Sequence, residues 1–348
     1  MMKEYFPKLD GLRAIAVGLV LVEHFAPGNF VNRFSLGSFG VKLFFTLSGF
    51  LITRILIEYR TSETPTRAAR QFYWHRFLRL APALYAAILG AALLGIANMG
   101  QDWWIHGLYL TNFKVFIDGH WGPATHFWSL ALEEQFYIIW FFVVVLLPRR
   151  ILLPSIVIGL VSPIIYRVLL RLLGIDAEFA FVLLPGCSDF LSLGALLGFV
   201  DKVHPQQFPI LLKRMRGASI VIAALLVSAG ATLAYAYGYA DISATLARIG
   251  LLLLCGFLIA HGLSDNFNGL RSILAWNWIR HIGKISYGIY VYHMFVPPII
   301  VEYLELDTQF GLSGKAGTAV AAAIEASATL LLAQVSWTAI ERPVARFR

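Results

Sequence analysis

The chain has 348 residues, 58% of them hydrophobic and 14% charged, with a mean hydropathy of +0.71. A soluble domain carries about 25% charged residues, so a water-facing surface cannot be built here and a soluble enzyme is excluded. The formal charge of +8 would raise the question of nucleic acid in a soluble protein; here the basic residues sort by membrane side instead, and no nucleic-acid partner is expected.

A spanning helix needs about 20 mostly apolar residues. Ten stretches qualify, at 11–28, 38–58, 79–98, 128–147, 151–173, 183–201, 217–238, 244–263, 283–302 and 317–340. The pattern predicts an all-α, polytopic helical bundle filling residues 1–348 as a single membrane domain. The first span carries Asp10, Arg13, Glu23 and His24, and no signal peptide is evident there. Between the second and third lies a basic segment, 59–78. Its part from Arg67 to Arg79, with Phe72, Tyr73, Trp74 and Phe77, reads as an amphipathic helix at the interface. The segment 99–127 is rich in aromatic rings and histidines, among them Trp103, Trp104, His106, His120, Trp121 and His126. The fourth span opens on WSLALEEQFY with adjacent Glu133 and Glu134. Cys187 and Cys255 sit inside apolar stretches and read as packing residues. With an inside N-terminus, 21 of the 28 Lys and Arg residues fall on the cytoplasmic side. That bias predicts ten spans, both termini cytoplasmic, and a multi-pass protein of the cytoplasmic (inner) membrane.

Ionisable groups inside a bilayer are costly and point to function. Arg13 and His24 are eleven residues apart, close to three helical turns, so both project from one face about 16 Å apart along the axis. A histidine there suits a general base acting on a hydroxyl; a packed, hydrogen-bonded histidine is the plainer alternative. Adjacent Glu133 and Glu134 diverge by about 100 degrees on a helix. One of them must face the bundle or water, either to orient the imidazole or to pair with a cation such as Arg167. Arg76 and Arg79 share a face and suit either a phosphate-rich ligand or anionic lipid. No Walker A loop, HExxH or GxSxG elbow is present, and no metal-ligand spacing is seen.

Six motifs in order resemble the acyltransferase-3 family of membrane acyltransferases, which O-acetylate polysaccharides, lipopolysaccharide and related glycans. They are LDGLRAIAVGLVLVEHF at 9–25 with the arginine-x10-histidine pair Arg13 and His24, FGVKLFFTLSGFLITRIL at 39–56, YWHRFLRLAP at 73–82, WSLALEEQFY at 128–137, IGKISYGIYVYH at 282–293, and IERP at 340–343. Two positions depart from the pattern. The tandem arginine is His75-Arg76 here, and Lys42 stands where an acidic residue is common.

The resemblance implies an acyl-CoA donor, usually acetyl-CoA, arriving from the cytoplasm as co-substrate with no tightly bound cofactor. It also implies a catalytic His24 and an acceptor that is a carbohydrate or glycosylated molecule. On that reading Arg76, Arg79 and Arg13 hold the donor's phosphates, and Glu134 or Glu133 holds the His24 ring. Ser48 and Tyr292 are candidate oxyanion donors, and Trp121, His126 and Trp128 face the acceptor. Many family members carry a fused periplasmic hydrolase-like domain; this sequence is expected to transfer alone or with a separate partner. A transporter moving a glycan or small solute is the main rival, and a non-catalytic scaffold the second.

Overall fold

The structure, a computed structural model, describes residues 6–26, 35–122, 124–175, 179–237, 240–263, 269–304 and 314–347. Among these every regular element is helical. The chain order is α1 Pro7–Phe25, α2 Leu36–Ser62, α3 Pro65–Leu93, α4 Met99–Gly107, α5 Thr111–Asp118, α6 Trp128–Phe141, α7 Arg149–Leu172, α8 Leu184–Val203, α9 Phe208–Tyr237, α10 Ala240–Leu263, α11 Gly269–Ala275, α12 Asn277–Tyr292, α13 Val296–Leu304, α14 Gly314–Ser336 and α15 Arg342–Val344. Each of the ten expected spans falls on helix. Residues 27–28 and 238 of those spans, and Lys3, Arg33 and Arg348 of the charge count, lie outside the described residues.

Seven of these segments are long and apolar enough to cross a membrane. They involve α2, α3, α6, α7, α8, α10 and α14 with their continuing turns. The other three are helical without meeting that measure. In α1, Lys8, Asp10, Arg13 and Glu23 interrupt the apolar run. In α9 the apolar part is Ser219–Gly230. The α12 helix gives way to a 3-10 turn, His293–Phe295, before α13 begins. The basic segment differs from its expected form: Arg67 to Arg79 is no separate surface helix but continues unbroken into the third span as α3. A helix that starts with Pro65 at its first position, where the missing N–H costs nothing, has no breaker until Pro82. Tyr287 donates to the Leu80 carbonyl at 2.9 Å and Tyr292 to that of Ala83 at 3.3 Å. Two α12 hydroxyls thus serve α3 carbonyls on either side of that proline, where a kinked membrane helix leaves backbone in need of partners.

Helix α1 packs against α2, α12 and α11, while α2 lies along α8, and α8 along α7. Small residues permit these approaches. A methyl at Gly283 of α12 would overlap the Asp10 carbonyl of α1, and one at Gly194 of α8 would overlap the Thr46 carbonyl of α2. In lipid, where apolar burial supplies no drive between helices, close backbone contact is a main source of adhesion. Cys187 and Cys255 are buried and unbridged.

Gly194→Leu should therefore force α2 from α8. Overpacking of this kind costs about 1–3 kcal/mol, read as a lower melting midpoint in detergent. Gly90→Leu, where nothing lies within 4 Å of the added carbon, should leave the midpoint unchanged.

Candidate active site

One stripe of α2 forms the wall of a cavity of about 410 Å³. Val41, Phe44, Ser48, Leu51, Ile55 and Glu58 line it, spaced alternately three and four apart as a single helix face requires. From Val41 to Glu58 the stripe runs about 25 Å at ~1.5 Å per residue, most of a hydrocarbon core of roughly 30 Å.

Five cations line the cavity, Arg13, Arg54, Arg76, Arg79 and Lys202, together with His75. Arg13, Arg54 and Arg76 each meet a carboxylate. Arg13 Nη1 donates to Asp10 Oδ1 at 2.9 Å, and Arg54 Nε lies 2.6 Å from Asp201 Oδ2. Arg76 donates through Nη2 and Nε to Glu134 Oε1, at 3.0 and 3.2 Å, with its guanidinium 3.6 Å from the Tyr137 ring centre. Each guanidinium has five N–H donors, so pairing with one carboxylate does not exhaust its capacity for a phosphate.

Around Arg76 the cavity wall is polar. Glu133 faces Arg76, Ser48 and Tyr137. Ser129 stands four residues before Glu133 and so shares its face of α6. Its hydroxyl is 2.7 Å from that of Tyr290, which in turn donates to the His126 carbonyl at 2.9 Å.

Next to Tyr290 stands a row of three imidazoles. His24, in the last turn of α1, is exposed, and its ring centre is 4.9 Å from that of His293. His293 is fully buried and lies 5.0 Å from His126. Each ring has one nitrogen against a backbone carbonyl: His24 Nδ1 at 2.9 Å from Val20 O, His293 Nδ1 at 2.6 Å from Tyr290 O, His126 Nε2 at 3.1 Å from Val291 O. A carbonyl only accepts, so these nitrogens carry the protons. The nitrogens that carry no proton are then Nε2 of His24, Nε2 of His293 and Nδ1 of His126. Among the described residues no group of three or more His, Cys, Asp or Glu side chains is placed to hold a metal ion.

The residues singled out from sequence therefore divide. Arg13, Arg76, Arg79 and Ser48 line the cavity. Glu134 turns to Arg76, and its neighbour Glu133 takes the place at the cavity wall. Neither glutamate meets Arg167, whose Nε donates to the Pro163 carbonyl. His24 and His126 belong to the imidazole row. Trp128 packs on Phe45, and Trp121 packs on Trp128, Phe179 and Phe181. Tyr292 lies outside the cavity: its hydroxyl hydrogen, shared with the more distant Ala83 carbonyl, is donated to Ser336 Oγ at 2.9 Å, and Ser336 donates to Glu341 at 3.1 Å, tying α12 to the terminal IERP motif. Tyr290, three residues after Tyr287, takes the position that Tyr292 was expected to hold. Arg54, Lys202, Tyr290 and His293 were not singled out from sequence; the signal for the last two was helical spacing within ISYGIYVYH.

The aromatic segment folds as α4 and α5. Gln135 of α6 anchors it through a reciprocal amide pair with Asn112 and a bond to the Tyr109 carbonyl. Trp103, Trp104 and Trp121 remain exposed. His106 is buried with Nδ1 2.9 Å from Thr111 Oγ1, and burial pushes its imidazole down to about 4.

The family model described as an acyltransferase domain matches residues 6–335. Peptidoglycan O-acetyltransferase OatA of Listeria monocytogenes is 29% identical over 379 residues, which cover 98% of this chain and 56% of that protein. Putative peptidoglycan O-acetyltransferase YrhL of Bacillus subtilis is 31% identical, covering 98% and 55%. O-acetyltransferase OatA of Staphylococcus aureus is 29% identical, covering 98% and 57%. The chain thus spans somewhat over half the length of these curated relatives. No solved structure matches it.

Two measurements test this geometry. An unfolded His106 binds a proton near 6.5 and the folded one near 4. The unfolded state therefore holds more protons between those values, and stability rises with pH through that window and is lost on acidification. His106→Gln should flatten the difference in melting midpoint between about pH 5 and pH 7. Arg76→Met should strand Glu134 without its cation at a cost of about 3 kcal/mol. Adding Glu134→Leu should recover much of the lost midpoint.

Proposed function

The chain belongs to the acyltransferase family whose model spans residues 6–335, and we propose that it moves an acetyl group from acetyl-CoA to a hydroxyl of a glycan at the cytoplasmic membrane. The observation that carries this reading is the cavity itself. Five cations line it, and near its Ser129 and Tyr290 end stand three imidazoles, of which His24 is exposed.

The Glu58 end of the cavity faces the cytoplasm in this reading, as the distribution of Lys and Arg supports. Arg13, Arg54, Arg76 and Arg79 receive the phosphates of the nucleotide through forked N–H donors, with the Lys202 ammonium beside them. The acyl arm lies along the α2 stripe, where apolar side chains and a closed wall keep water from the thioester. Farther in, the hydroxyls of Ser48, Tyr290 and Ser129 supply donors for the developing oxyanion. His24 takes the proton of the acceptor hydroxyl at Nε2; the Val20 carbonyl holds the ring in the tautomer that leaves this nitrogen bare. His293 and Tyr290, with ring centres 5.4 Å apart, separate His24 from the cavity in this conformation, so transfer requires these rings to part. The acceptor approaches from the side of Trp121, Trp103 and Trp104, whose exposed rings suit sugar faces. The relatives' names favour a peptidoglycan or similar cell-wall glycan as acceptor.

Purified protein in micelles, given labelled acetyl-CoA and a soluble glycan, should release coenzyme A and label the glycan. His24→Ala should reduce transfer by at least about 100-fold, the usual worth of a positioned acid–base group, without changing the melting midpoint, because the side chain is exposed. Absence of coenzyme A release from the wild-type protein would remove the acetyl-CoA donor and favour movement of a solute instead.

A further inference from the structure

The cavity does not end at Ser48. On α2 it is lined farther on by Phe44 and Val41, four and seven residues nearer the helix start, or about 6 and 10 Å along the axis. The other walls keep the same order. On α6, Glu133 and Tyr137 face Ser48, while Ser129 and Leu130 line the cavity one turn nearer the start of that helix. On α12, Tyr290 reaches this level: its hydroxyl is 2.7 Å from that of Ser129, and its ring centre is 6.4 Å from that of Phe44.

This far compartment is walled mainly by hydrocarbon. Val41, Phe44, Phe45 and Leu130 line it, and Phe45 is backed by Trp128 with 6.1 Å between ring centres. Its hydroxyls are already committed: that of Ser129 meets that of Tyr290, whose proton goes to the His126 carbonyl. A sugar buried against such a wall would leave its own hydroxyls without partners, which is costly. An alkyl chain loses nothing there and gains with each methylene removed from water. The depth is limited. Of the two α2 positions beyond Ser48, Phe44 comes first and is the bulkier, and its ring rests against Tyr290.

Resting on the acyl-CoA reading above, we propose that this compartment receives the alkyl end of the donor's acyl group and that Phe44 sets how long that group can be. With the thioester carbonyl at Ser48, the acyl chain points at the Phe44 ring and the Leu130 side chain. An acetyl group ends short of them. A hexanoyl chain has to push the Phe44 ring off Tyr290. Chain length is thus chosen on the donor side of the cavity, independently of which glycan hydroxyl attacks.

The test uses the full chain in micelles with a soluble glycan and compares acetyl-CoA with hexanoyl-CoA as donors. One methylene too many in a closed apolar pocket is worth about 10- to 200-fold, so the wild-type protein should prefer acetyl-CoA in kcat/KM by at least about 100-fold. Phe44→Ala should lower that preference by at least about tenfold, and Leu130→Ala should lower it as well. Ile55→Ala trims the same wall on the Glu58 side of Ser48 and should leave the ratio where it was, whatever it does to the rates. The ratio compares two donors on one sample, so it does not depend on how much of a variant is folded. An unchanged ratio in Phe44→Ala overturns the proposal, as does a wild-type protein that takes both donors alike or an equal fall of the ratio in Ile55→Ala. If Phe44→Ala yields no folded protein, Leu130→Ala decides on the same criterion. No coenzyme A release from either donor sinks the acyl-CoA reading and this inference with it, whereas release with an unmoved ratio sinks this inference alone.

Discussion

A charge inside a hydrocarbon slab persists only where another charge or a set of dipoles accompanies it, and the arrangement of this bundle follows from that requirement. Arg54 of α2 pairs with Asp201 of α8, and Arg76 of α3 with Glu134 of α6. Farther along the bundle Arg248 of α10 pairs with Asp189 of α8 and also donates to the Gly186 carbonyl. Each pair joins two different helices, so the ions that make the cavity mouth polar also hold its walls in register. Breaking one of them leaves an isolated charge in place of a neutral unit. Cavity and fold are for this reason hard to separate energetically.

The apolar runs located the helices, because length and hydropathy are local properties that survive folding unchanged. Side-chain direction was less accessible. The 100-degree divergence of Glu133 and Glu134 was plain from helix geometry, yet which of them faces the cavity depended on Arg76, 58 residues away. The Arg67–Arg79 stretch has the composition of a surface helix and the absence of breakers of a continuing one, and composition could not choose between them; in the fold it is the first half of α3. Tyr290 and Tyr292 are two residues apart and point apart, one to the cavity and one to Ser336. His293 was missed for a related reason. Nothing local distinguishes a buried histidine that packs from one whose second nitrogen is left bare between two other rings drawn from residues 24 and 126.

The first helix illustrates both sides of this. Arg13 and His24 share a face because eleven residues make close to three turns, and the structure puts Arg13 on the cavity wall and leaves His24 exposed in the last turn of α1. What the spacing could not show is that the space between them is not one continuous tunnel. The cavity follows α2 for much of the bilayer and then stops at Tyr290 and Ser129, with the imidazole row standing between it and the far side.

That stop has a physiological consequence. A membrane that holds an ion gradient would lose it through a protein bored through from face to face. Past the end of the cavity the rings of His126, Tyr290 and His293 stand with centres 5.0 to 5.8 Å apart, closer than a hydrated sodium or potassium ion needs to pass between them. A membrane holding such a gradient can therefore carry this fold without being short-circuited by it.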